Sequence, residues 1–83
     1  MKYILAVFTS RRDAMDFYEG LQKNRISAAV VNTPHEVSVS CGISVKFDPS
    51  CAAKVKSFAH NHRSFVALYG IEEDGMRRKV FLL

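Results

Sequence analysis

The stretch Ile43-Ser44-Val45-Lys46-Phe47-Asp48-Pro49 carries two signals in direct succession. Its first five residues alternate, which puts Ile43, Val45 and Phe47 on one face of a strand and Ser44 and Lys46 on the other. Asp48-Pro49 then opens a helix. Aspartate suits the N-cap, and proline suits the first helical position because its missing N–H would find no partner there. The helix presents Ala52, Val55, Phe58 and Ala59 on one side and is expected to end near Asn61.

Toward the N-terminus, Tyr3–Phe8 is a continuous apolar run of strand length, suited to a central strand. Ser10 followed by Asp13 resembles a capping box with a shortened acid. Ala14, Phe17, Tyr18 and Leu21 then recur at helical spacing down to about Lys23. Ala28–Val31 reads as a short second strand, and Asn32–Gly42 as a polar loop containing Pro34. Toward the C-terminus, Phe65–Ile71 reads as a fourth strand. Asp74-Gly75 favours a tight turn, and Lys79–Leu83 as a fifth strand would return along the sheet edge.

The order βαββαβ with a late strand predicts an α+β fold: a ferredoxin-like sandwich with an extra C-terminal edge strand, one domain over residues 1–83. Right-handed crossovers would set strand three between one and two, and strand one between three and four. The Asn32–Gly42 loop, the Thr9–Arg12 turn and the His60–Arg63 turn would then be neighbours at one end. Asp48–Cys51 would lie at the other. The sheet face away from the helices would carry apolar side chains from strands one and four, so a partner is expected there, most simply a second copy in a homo-oligomer.

Composition narrows the function classes. The chain has 83 residues, 48% hydrophobic and 24% charged, enough for one small core. Twelve Lys and Arg against eight Asp and Glu leave +4, a mild basic bias. An RNA-binding module of the same predicted topology stacks bases on aromatics of its first and third strands. Here Phe47 shares the face of Ile43 and Val45 and belongs to the core, which disfavours nucleic acid. Arg11-Arg12 and Arg77-Arg78-Lys79 then read as solvated charge. No apolar run is long enough to cross a bilayer, and no cleavage pattern follows Met1–Phe8. With only two cysteines, a reducing compartment, the cytoplasm, is expected.

The chemistry concentrates in Pro34-His35-Glu36-Val37-Ser38-Val39-Ser40-Cys41-Gly42. A cysteine acts as a nucleophile only as thiolate, a form favoured near cations and helix N-termini. The predicted topology brings Ser10, Arg11, Arg12 and the start of the first helix toward Cys41. Gly42 would let a bulky partner approach the sulfur. Ser38 and Ser40 supply hydroxyls that could hydrogen-bond a sulfur anion.

Pro34, Val37, Ser38, Cys41 and Gly42 match a Pro-Arg-x-hydrophobic-Ser-Ser-x-Cys-Gly motif, and the chain resembles the small selenium/sulfur carrier-like domain family in order and spacing over roughly the first sixty residues. His35 stands where that family usually has Arg, and Val39 where it usually has Ser. The resemblance implies a carrier, rather than a stand-alone enzyme, whose Cys41 holds a persulfide or perselenide for a partner protein. Cys41 would act with Gly42, Ser38, Ser40, His35, Ser10, Arg11 and Arg12 in support and without a cofactor; His35 would help an anion only when protonated. The alternative is a non-enzymatic regulatory or small-ligand module that uses the same loop for recognition and acts as a homo-oligomer.

Two other features read more simply as structure. Cys51 falls in the first turn of the second helix and one turn before Val55, as expected of a buried thiol. A strand of five residues, about 16 Å long, separates it from Cys41, too far for a disulfide. His60 and His62 are two apart and would point to different helix faces, which disfavours a zinc site with His35 and Cys41.

Overall fold

The computed structural model describes residues 2–83; Met1, which opens the Met1–Phe8 stretch considered above, lies outside them. The elements are β1 (Lys2–Phe8), α1 (Arg11–Lys23), β2 (Ala28–Asn32), β3 (Ile43–Phe47), a single 3-10 turn (Pro49–Cys51), α2 (Ala52–Ala59), β4 (Phe65–Asp74) and β5 (Arg77–Leu82). They build a small α+β fold with one five-stranded antiparallel sheet in the order β2-β3-β1-β4-β5. Thus β3 sits between β1 and β2, and β1 between β3 and β4.

Local chemistry sets most boundaries. The Asp48 carboxylate accepts the Ser50 N–H at 2.8 Å, but the turn it caps is 3-10 before α2 proper begins. That helix stops at Ala59, two residues short of Asn61. Phe65–Ile71 continues to Asp74, because Glu72, Glu73 and Asp74 pair with Lys79, Arg78 and Arg77 across a hairpin. Opposite charges on facing strands extend the ladder, and Gly75, at φ +61°, makes the turn. Gly70 lets the Phe81 ring of β5 lie against β4, in space a Cβ would occupy.

The sheet has two differently built covers. Ile4, Ala6 and Phe8 of β1, Ile43, Val45 and Phe47 of β3, and Leu68 of β4 bury against Ala14, Phe17 and Leu21 of α1 and Val55 and Ala59 of α2. Phe47 is indeed core. On the other face Leu5, Val7 and Ile71 are equally buried, and the residue that covers them is Val37. The loop expected to be merely polar therefore folds back over the sheet. It occupies part of the face the sequence leaves for a partner; Val37 and Val39 look alike in the sequence, yet only Val37 is buried and Val39 is 55% exposed, a choice that no local pattern announces.

Candidate functional site

The end of the sheet where β1 stops is cross-linked by backbone hydrogen bonds. The Cys41 N–H donates to the Phe8 carbonyl at 3.0 Å, and the Thr9 N–H donates to the Ser64 carbonyl at 2.9 Å. The motif loop, the start of α1 and the turn after α2 are therefore neighbours there, as the crossovers require. Ser10 caps α1, accepting the Asp13 N–H at 3.3 Å. Asp13 does not return the bond as in a capping box. Its carboxylate instead accepts the Ser64 N–H at 3.1 Å, while the Ser10 N–H donates to the Ser64 hydroxyl at 3.2 Å. The bonds from Ser64, with His62 beside them, hold the Asp13 carboxyl below its ordinary value.

The loop is built by hydroxyls. The Thr33 hydroxyl bridges Ser40 at 2.8 Å and the fully buried Ser44 at 2.6 Å, and Ser40 Oγ accepts the Gly42 N–H at 3.0 Å. The Thr33 N–H donates to the Gly42 carbonyl at 3.0 Å, extending the β2–β3 ladder by one pair. Gly42 takes φ +100°, and a Cβ there would meet nothing within 4 Å. Cys41 is thus fixed at its backbone, with open space beside the next residue.

The Cys41 side chain is half-buried against the helix-side core, and its Sγ donates to the Ile43 carbonyl at 3.6 Å. Only the protonated thiol can make that bond, so a reacting sulfur turns out of it. Ser38 is exposed, as are Arg11 and Arg12. The His35 side chain, 89% exposed, sits 3.7 Å from the Glu36 carboxylate. The Ser40 hydroxyl accepts the Gly42 N–H and bonds the Thr33 hydroxyl, so it helps to shape the turn beside Cys41.

Sequence reasoning missed the clamp on this loop. Arg78 donates to both carboxylate oxygens of Glu36, Nε to Oε2 at 3.2 Å and Nη2 to Oε1 at 2.9 Å. This bidentate pair ties the loop to β5 and, through hydrogen bonding first, holds the Glu36 carboxyl below its ordinary range. Arg78 is therefore not simply solvated charge. The partners are 42 positions apart, and no local pattern announces them.

Both cysteines are free. Cys51 lies in the 3-10 turn, half-buried against the same core. The His62 ring packs edge-on against Phe8 and Phe17, whereas the His60 ring packs against Phe65. Among the described residues no three His, Cys, Asp or Glu side chains gather as a metal site, and no helix is long and apolar enough to cross a membrane.

With this geometry in view, the family comparison is direct. Residues 2–75 match the family described as “Putative Se/S carrier protein-like”. The chain belongs to that family. The match runs through β1 to the β4–β5 turn and leaves β5, with Arg78, beyond its end. No curated protein and no solved structure matches the chain. Membership points to protein partners and to sulfur or selenium as cargo.

Proposed function

We propose that this Se/S carrier-like chain holds sulfur or selenium on Cys41 as a persulfide or perselenide and passes it to a partner protein. In the sulfur case the Cys41 thiolate attacks the outer sulfur of a donor persulfide. The new S–S bond forms as the old one breaks, and the donor leaves as its thiolate, so no external oxidant is needed. Delivery reverses the same exchange toward an acceptor thiol. The observation that carries this reading is the build of Cys41: backbone held by Phe8, side chain half-buried, open space beside Gly42. A thiol on a fixed backbone with open space beside it suits hand-over to a larger protein.

Arg11 and Arg12 at the start of α1, with Ser10, Ser38 and a protonated His35, are the groups available to stabilise the anion as the thiol turns outward. Cytoplasmic reducing conditions would keep both thiols competent. The β2-β3-β1-β4 order also favours a ferredoxin-like sandwich with β5 as an added strand.

Intact-mass analysis after incubation with a cysteine desulfurase and cysteine, or with the same enzyme and selenocysteine, which delivers selenium already at the perselenide level, tests the reading. Wild type and Cys51→Ser gain about 32 Da for one sulfur or about 80 Da for one selenium, and Cys41→Ser gains neither. An adduct that persists in Cys41→Ser, or that forms in no variant, overturns it.

A further inference from the structure

The sheet has two free edges of unequal character. β5 opens with Arg77, Arg78 and Lys79, charges that discourage a further strand. β2 is Ala28-Ala29-Val30-Val31-Asn32, with no charge, proline or bulge, and it pairs in unbroken register with β3. Thr33 and Gly42 extend that register as a hydrogen-bonded pair. Because such pairs alternate along an antiparallel ladder, Val31 and Ala29 direct their backbone groups to β3, whereas Asn32, Val30 and Ala28 direct theirs to the open edge. Val30 is also 36% exposed. This unguarded edge points at the end of the sheet that holds Cys41.

Beside it lies a groove of about 530 Å³ lined by Tyr3, Ala29, Val31 and Lys46, with Lys2 and Asp48 at its margin. Lys2 is paired with Glu72 at 3.3 Å, and the Asp48 carboxylate is engaged by the Ser50 N–H. Lys46 lies 4.3 Å over the Tyr3 ring and takes part in no ion pair among the described residues. The groove therefore presents an available cation on the face where every second side chain of an added strand would project.

We infer that the β2 edge docks an extended, acidic, cysteine-bearing segment of the protein that exchanges sulfur with Cys41, added as a sixth strand antiparallel to β2. The inference rests on the carrier reading of Cys41. Main-chain bonds to Val30 supply affinity, and a carboxylate reaching Lys46 supplies selectivity. Cys41 continues the line of β3, so an added strand lies about 10 Å from it, two strand spacings away. About three extended residues cover that distance. The reactive cysteine of the segment thus precedes its strand by a short spacer.

A synthetic peptide tests this: an N-terminal cysteine activated as its 2-thiopyridyl disulfide, a three-residue Gly/Ser spacer, then alternating Val and Glu. The Cys41 thiolate attacks the peptide sulfur, the mixed disulfide forms, and pyridine-2-thiol leaves and is read by its absorbance. Wild type reacts roughly tenfold or more faster than Val30→Pro, which removes an outward N–H without touching the β3 ladder. Both react equally with 2,2′-dithiodipyridine, which needs no docking and reports an intact site. Lys46→Glu reverses the preference between this peptide and its Lys-for-Glu counterpart, and it serves as well if Val30→Pro does not fold. Equal peptide rates in wild type and Val30→Pro, or no response to charge, overturn the inference. So does a wild-type dimer that Val30→Pro converts to monomer, since the edge is then taken by a second copy. Loading of Cys41 by a donor enzyme is a separate measurement, so failure of docking is distinguishable from failure of the carrier reading.

Discussion

Two layers cover the same sheet, and they are built on different terms. On one face α1 and α2 bring Ala14, Phe17, Leu21, Val55 and Ala59 onto β1, β3 and β4, and the Phe8 and Phe17 rings meet at 5.0 Å. On the other a short loop brings Val37, held at the rim by Glu36 and Arg78. The first cover has many partners for each side chain and cannot lift without unfolding the domain. The second rests on Pro34 and Val37, a few hydroxyl bonds through Thr33 and one exposed ion pair, and its loop runs on to Cys41, whose own side chain packs against the helix-side core. Segments with few buried contacts open at lower free energy than the core they cover. Cys41 thus ends the less anchored loop while its backbone stays tied to β1 through the Phe8 carbonyl and its side chain rests on the helix-side core.

That contrast can be broken in order of effect. Phe17→Ala, at 1% exposure, removes a ring from the helix-side core. It is expected to cost about 3–5 kcal/mol of global stability, read from the urea midpoint. Val37→Ala strips two methyls from the loop-side cover and costs about 1–3 kcal/mol. Its distinctive result is faster alkylation of Cys41 while amides of α1 keep their hydrogen-exchange protection; equal loosening of α1 would show that the covers are one unit.

The smallest effect is that of the Glu36–Arg78 pair. Glu36→Gln speeds Cys41 alkylation near neutral pH with little shift in Tm. The sign with pH follows from the carboxyl lying below its ordinary value of 4.5. The contribution is full above that value and is lost as pH falls through the lower, folded-state one. Wild-type Cys41 alkylation, corrected for the thiolate fraction, should therefore rise on acidification toward the Glu36→Gln rate. Parallel profiles for the two proteins would show that the pair does not hold the loop.

The elements were legible wherever chemistry is local. Alternation gave Ile43–Phe47, the i, i+3, i+4, i+7 stripe gave Arg11–Lys23, and Ser10 marked its cap. The motif loop was legible as a motif but not as a layer, because Val37 acquires its meaning only from Leu5, Val7 and Ile71 beneath it. Asp13 was misassigned for a related reason: Ser64 lies 51 residues away in sequence and offers a better-placed N–H than Ser10. The Ser40 hydroxyl was legible as polar, but not its bond to the Gly42 N–H, which the turn geometry sets.

By itself the sequence determined that β and α elements alternate in this order, that Phe47 points inward, and that the candidate site is the loop ending in Cys41-Gly42. Each of these depends on residues within a few positions of one another, where hydrogen bonding and side-chain period act directly. Only the tertiary structure decided that the motif loop covers part of the second sheet face and that Arg78 clamps it. Those depend on which distant segments meet, and a pairing such as Glu36 with Arg78 leaves no trace in either local stretch.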